Sequence, residues 1–317
     1  MDNFYDSLYI HRIMLRDDVR NQAYRKALFE NVKPGDVVLD FGAGTGILSM
    51  FAAQAGASRV YAVERTGIAS LAEKMFEKNG FSDRITIINE NIETAQLPQK
   101  VDIIVSEWLG TFGVDENLLE PLLIARDRWL RPDGLMLPET VAAIMTPIWS
   151  NEVEADMSFW RESRYDLDLT LLGDCAVDEM SWAKEPITGE AFMSEPQTMW
   201  TTTVYEYPVE EARLPFRASL EFKTSKAGKI NALTAWFDAD FGKGRTLTNS
   251  PAAPKTHWGQ YVFPLKKTYE VEKGSTVIVE YTCIPAQPGY SFHAWSVKVN
   301  DGIWEHHDTR RIKWHES

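Results

Sequence analysis

A chain of 317 residues with 44% apolar side chains is long enough to bury one large core or two, and its composition is that of a globular protein. The formal charge of −13 argues against nucleic acid, whose binding rests on cationic neutralisation of phosphates, and favours cationic or neutral partners; an acidic surface that keeps a cytosolic protein soluble accounts for the same charge. Cys175 and Cys283 stand far apart without metal-ligand spacing, and no segment approaches the roughly 18–20 apolar residues of a membrane span, so a disulfide framework, a zinc site and a membrane partner are all disfavoured and a cytoplasmic setting is the default.

Met1 to Arg20 mixes Asp, Arg and His with apolar residues and does not read as a signal sequence. From Val37 to Leu137, strand-like runs alternate with amphipathic segments of helix length. The runs are Val37–Leu39, Val60–Val63, Ile85–Ile88, Val101–Val105 and Leu135–Leu137; the helical segments are Ile47–Ala55, Ile68–Asn79 and Leu118–Trp129. This α/β alternation predicts a doubly wound, Rossmann-like parallel sheet with ligands at the strand C-termini.

Beyond Pro138 the texture changes. Leu220–Thr224, Ala232–Phe241, Tyr261–Phe263, Thr276–Thr282 and Phe292–Val299 are β-branched and aromatic runs between turns, which predict an antiparallel sandwich or barrel. Ser150–Asp174 is rich in large apolar groups and reads as a segment that packs on its own half or docks on another subunit.

The first strand runs into Asp40-Phe41-Gly42-Ala43-Gly44-Thr45-Gly46 and then a helix start. Gly42, Gly44 and Gly46 permit positive φ and close approach of backbone to a ligand at a helix N-terminus. The spacing has Ile47 where a dinucleotide fingerprint has its third glycine, and no Gly-Lys-Ser/Thr follows, so neither NAD nor a triphosphate is favoured. Glu64 at the end of the second strand suits ribose hydroxyls, and Glu93 after the third could accept from an adenine amino group. With Asp40, these acids describe a pocket for an adenosine without phosphates; the cationic sulfonium of S-adenosylmethionine fits that field.

The fourth strand ends in Ser-Glu-Trp-Leu-Gly-Thr-Phe-Gly-Val-Asp-Glu-Asn, which sets Glu107 and Glu116 on one glycine-bearing loop. Adjacent carboxylates repel, and one tends to protonate unless a cation lies between them, so the pair selects a cationic ligand.

These pieces, in this order from about Phe4 to Ile312, resemble the protein arginine methyltransferase family, together with the entry segment His11 to Arg20 and the tripeptide Thr256-His257-Trp258. The resemblance implies a methyltransferase sheet joined to a β-barrel, with an arm that closes a homodimer. It divides the chain into an N-terminal helical segment at 1–24, an S-adenosylmethionine-binding unit at 25–140 and a barrel at 141–317 carrying the arm at about 150–178. It also implies that Arg20 pairs with the methionine carboxylate of the cofactor, that Asp17 and His257 form a dyad, that Met14 sits near the reacting nitrogens and that Trp258 lies on the substrate side.

The expected reaction is methyl transfer from S-adenosylmethionine, leaving S-adenosylhomocysteine, to a guanidino nitrogen of arginine in a protein or peptide. Glu107 and Glu116 grip the group, and Glu116 or His257 takes the proton. Free arginine or another small guanidine is an alternative substrate, and a non-catalytic binding homologue an alternative role. Thr111 and Asp115 stand where asymmetric-dimethylating members carry tyrosines, and Gly110-Thr111-Phe112 resembles the symmetric branch; Met14 and Thr-His-Trp resemble the asymmetric one. Phe4-Tyr5-Asp6-Ser7 is a shortened form of the aromatic helix that folds over the cofactor.

Overall fold

The first half of the chain forms a parallel sheet because its strand runs are apolar on both faces, as a sheet covered by helices on both sides requires. In a computed structural model, which describes residues 5–184, 186–287 and 289–312, its strands are β1 (Val37–Phe41), β2 (Arg59–Val63), β3 (Ile85–Ile88), β4 (Val101–Ser106) and β5 (Leu130–Leu137). They lie in the order β3-β2-β1-β4-β5. The order reverses between β1 and β4, whose C-terminal ends meet with Phe41 opposite Ser106, and the crevice above such a reversal is where ligands bind. Phe4 lies outside the described residues.

Two helices precede the sheet, α1 (Leu8–Leu15) and α2 (Asp18–Asn31), so the entry segment is helical well past residue 24. The Ser7 side chain caps α1 by accepting from Tyr9 N–H, and Asp17 caps α2 by accepting from Arg20 N–H. Within the sheet unit follow α3 (Ile47–Ala55), α4 (Ala69–Lys78) and α5 (Leu119–Trp129). Tyr24, Leu28, Leu39, Ile104 and Leu123 are among the fully buried side chains of this half.

The second half is antiparallel. β6 (Thr140–Ile148), β7 (Ser181–Trp182), β8 (Gln197–Thr203), β10 (Gly228–Asp240), β11 (Thr246–Thr248) and β12 (Tyr261–Val271) form one sheet, with β11 paired to β10. β9 (Phe216–Lys223), β13 (Thr276–Gln287), β14 (Tyr290–Val299) and β15 (Glu305–Asp308) form the other. The two sheets wrap one core containing Met145, Leu233 and Phe263 from the first and Phe222, Val279, Tyr281 and Trp295 from the second. An isolated bridge between Ser194 and Thr224 joins them.

The segment Ser150–Asp174 begins against the first of these sheets, where Val153 packs with Ile148, Ala232 and Val262, and runs on into an exposed apolar stretch. Helix α6 (Asn151–Arg161) starts on Ser150, whose side chain accepts from Val153 N–H, and α7 (Thr170–Ala176) follows a loop. Phe159, Tyr165, Leu167, Leu171 and Leu172 are all exposed on it. No helix of the described residues is long and apolar enough to cross a membrane, and among those residues no cluster of His, Cys, Asp and Glu could hold a metal ion.

Candidate active site

A cavity of about 590 Å³ opens above the β1/β4 reversal. One wall is the glycine turn. Gly42, Gly44 and Gly46 all have positive φ, and the N–H groups of Gly42 and Ala43 donate to Val63 O at 2.9 and 3.1 Å, binding the turn to the end of β2. Gly42 and Gly44 line the cavity. Gly46 does not: a Cβ there would stand 2.3 Å from Cε1 of Phe76, so its task is to let α3 start against α4.

Asp40 is fully buried behind the turn and does not line the cavity either. Its Oδ2 accepts from Ser49 Oγ at 2.6 Å, while Oδ1 has no partner among the described residues. Burial pushes this carboxyl up to about 7 against the hydrogen bonds from Ser49, with the nearby Glu64 adding to the rise. Asp40 thus supports the turn from beneath.

Glu64 stands on the cavity wall with both oxygens bound to backbone: Oε2 accepts from Gly44 N–H and Oε1 from Thr66 N–H, each at 2.8 Å. A carboxylate has about four lone-pair sites, so these bonds hold it rigid while leaving acceptors for two vicinal hydroxyls. Glu93 lines the same cavity. His11 roofs the turn; its Cε1 lies 3.0 Å from where a Cβ on Gly44 would be, and its Nε2 is 2.8 Å from Tyr5 O.

Arg20 crosses from the cofactor side to the loop after β4. Buried to 5% exposure, it donates through Nε and Nη2 to Glu107 Oε2 at 3.4 and 3.1 Å and through Nη1 to Asn21 Oδ1 at 2.8 Å. The guanidinium keeps further N–H donors for a second carboxylate.

The double-glutamate loop is held from every side. Asp115 folds back so that its carboxylate accepts from Thr111 N–H and Phe112 N–H at 2.9 to 3.1 Å. Gly110 makes room for it: φ is +53° and a Cβ would lie 2.4 Å from Asp115 Oδ1. Phe112, fully buried, points down into the barrel core, where the rings of Tyr261, Phe263, Tyr281 and His293 surround it at 5.6 to 6.3 Å between centroids. The loop carbonyls are also claimed by the second half of the chain. Asn249 Nδ2 donates to Thr111 O at 2.7 Å, Ser291 Oγ to Val114 O at 3.2 Å and Gly289 N–H to Glu116 O at 2.6 Å.

Glu107 and Glu116 therefore face one cavity with different partners. Glu107 has Arg20. Among the described residues Glu116 has a neutral donor in Tyr5, whose hydroxyl reaches Oε1 at 2.9 Å. Burial, then Asp115 and Glu107 nearby, push the Glu116 carboxyl up to about 8 despite that hydrogen bond. Its environment calls for a cation.

Opposite the loop, Asp17 Oδ2 accepts from both N–H and ring Nδ1 of His257, at 2.8 and 2.7 Å, while Oδ1 caps α2 through Arg20 N–H at 2.9 Å. Burial acts to raise Asp17, but the hydrogen bonds from the His257 ring and the two backbone N–H groups outweigh it and hold the carboxyl below its usual value. Asp17 is behind the wall; His257, Trp258 and Met14 are on it. Trp258 is packed edge-on to Phe237 with centroids 5.0 Å apart.

Residues 7–137 match the family model described as PRMT5 arginine-N-methyltransferase, and residues 141–299 match the arginine methyltransferase oligomerization subdomain. Protein arginine N-methyltransferase 6 of Danio rerio is 36% identical over 293 residues, covering 89% of this chain and 84% of that protein. This chain belongs to the protein arginine methyltransferase family. Protein arginine N-methyltransferase 1 of Schizosaccharomyces pombe is likewise 36% identical, over 90% of this chain and 86% of its own length. Among solved structures, the Trypanosoma brucei PRMT1 enzyme-prozyme heterotetrameric complex with AdoHcy is 28% identical with a TM-score of 0.88, covering 96% of this chain and 98% of that one.

Around the groups of the site the structure places residues that sequence patterning does not single out. Tyr5 was readable only as part of an aromatic segment, yet its hydroxyl is on Glu116. Asn21 holds Arg20 and also donates to Met14 O and Leu15 O at 3.2 and 3.0 Å, tying α1 to α2. Asn249, Gly289 and Ser291 reach the loop from more than 130 residues away and leave no local signal.

Proposed function

We propose that the protein methylates arginine in proteins or peptides, with S-adenosylmethionine as donor and the guanidinium gripped between Glu107 and Glu116. The residues fit the donor. Glu64 is pre-bound by backbone with acceptors to spare for a ribose, Glu93 lines the same cavity, and Arg20 has donors left for a carboxylate after binding Glu107. A cavity of about 590 Å³ suits a nucleoside-sized ligand and a side chain together. When bound, S-adenosylmethionine supplies an electrophilic methyl group on a cationic sulfur.

The carrying observation is Glu116, a carboxyl forced upward by burial and by two neighbouring acids, with no cation paired to it among the described residues. An arriving guanidinium restores its ionisation, and the pair Glu107/Glu116 then orients one terminal nitrogen and holds positive charge away from it. The nitrogen forms the new bond to methyl carbon as carbon–sulfur bonding electrons return to sulfur. The nitrogen's surplus proton leaves to Glu116 or to His257, whose ring is oriented by Asp17. Positioning and fixed charge supply the acceleration.

The exposed apolar groups of the arm, Phe159, Leu167, Leu171 and Leu172 among them, support a homodimer in which the arm docks on a second copy. The test of the activity is methyl-labelled S-adenosylmethionine offered with an Arg-Gly peptide, a protein extract and free arginine. Label entering the peptide or extract supports the reading; label entering free arginine alone replaces the substrate class, and label in none of them overturns the activity.

A further inference from the structure

Trp182 is a large aromatic that the folded core does not use. It belongs to the two-residue strand β7 just past the arm and is 59% exposed, yet its ring is fixed at two points. The indole stacks on Tyr261 with centroids 4.9 Å apart and planes 28° from parallel. Its Nε1–H donates to Thr111 Oγ1 at 3.2 Å. Thr111 lies between Glu107 and Glu116, and Tyr261 packs edge-on against Phe112, the next residue of that loop. The indole is therefore braced against the double-glutamate loop, and it lines the cavity that both glutamates face.

An indole held in one orientation with an open face loses little entropy when a ligand covers it, and covering that face removes apolar surface from water. Its face is also attractive to guanidinium. We propose that Trp182 is a substrate-binding residue whose open face takes the arginine side chain as it enters between Glu107 and Glu116. Thr111 is the positioning residue that fixes the indole's angle through its hydroxyl. The inference rests on the arginine methyl transfer set out above.

The test is steady-state kinetics on an Arg-Gly peptide with Trp182→Ala, Trp182→Phe and Thr111→Val, alongside calorimetry with S-adenosylhomocysteine and sedimentation to follow assembly. Trp182→Ala is expected to raise KM about tenfold with kcat changed less than about threefold. Trp182→Phe, which keeps an aromatic face, should recover most of that, and Thr111→Val should raise KM by about two- to threefold with the indole unpinned. S-adenosylhomocysteine affinity and assembly should match wild type in all three. A Trp182→Ala KM within twofold of wild type overturns the inference while leaving the activity standing. So does a raised KM accompanied by altered sedimentation, which would make Trp182 part of a subunit contact. Wild-type protein that methylates no guanidino substrate overturns the underlying activity instead.

Discussion

Asp17 and His257 are 240 residues apart in sequence and 2.7 Å apart across the site. The same carboxylate caps α2, so the helix that carries Arg20 and the loop that carries His257 share one anchor. Asp17→Ala is expected to lose about 1 kcal/mol for the cap alone and to free the His257 ring, lowering activity more than S-adenosylhomocysteine affinity. Because Asp17 is held below its ordinary value of 3.8, its contribution to stability is complete above that value and disappears as pH falls through the lower folded value. Urea denaturation of wild type and Asp17→Asn should therefore differ above pH 3.8 and converge below it.

Glu116 gives the opposite sign. A carboxyl pushed up to about 8 holds its proton in the unliganded protein at neutral pH, and in the proposed clamp only the carboxylate receives guanidinium. The kcat/KM for peptide should climb with pH and level off above about 8. Asp115 is the largest contributor after burial, so Asp115→Asn should move that rising limb to lower pH. Glu116→Gln should keep S-adenosylhomocysteine binding by calorimetry and lose on the order of a hundredfold in methyl transfer. Turnover near wild type in that variant would remove Glu116 from the reaction.

Gly110→Ala should be damaging in a small-for-small exchange. The backbone is left-handed there and the new methyl would fall on the Asp115 carboxylate, whose bonds to Thr111 and Phe112 shape the loop. A loss of roughly 1–3 kcal/mol is expected, with methyl transfer falling further than thermal stability, as paired melting and activity assays on one preparation would show.

Phe112→Ala should uncouple the two halves at the double-glutamate loop. Emptying a site closed by four rings costs about 3–5 kcal/mol, and Glu116 would lose the anchoring of its loop in the barrel core. Thermal melts should show the stability loss. Hydrogen exchange should show protection falling over residues 110–116 first, and a uniform loss across the chain would contradict a local anchor.

The parallel sheet was legible because its signals are local. Buried strands announce themselves as apolar runs, and α3 begins and ends where the pattern from Ile47 to Ala55 does, bracketed by Gly46 and Gly56 in left-handed conformation. In the antiparallel half, β10 and β12 to β14 were visible as β-branched and aromatic runs, whereas β6, β8 and β15 were not. β6 carries Pro147 near its end, β8 is mostly Thr and Gln, and β15 is Glu-His-His-Asp, so each is a strand because its neighbours pair with it.

Residue types at fixed spacing likewise marked the candidate site, with glycines before a helix start, acids after the second and third strands and two glutamates on one loop, and the reaction class followed from the family resemblance those pieces carry together. Tertiary structure decided which atoms those groups meet. It put Asp40 under the turn on Ser49, turned Asp115 inward onto its own loop, and set Tyr5 against Glu116 across 111 residues of chain. Local patterns record backbone conformation and burial, which depend on near neighbours. Hydrogen-bond partners and proton affinities depend on which distant segments are packed alongside, and only the folded chain specifies those.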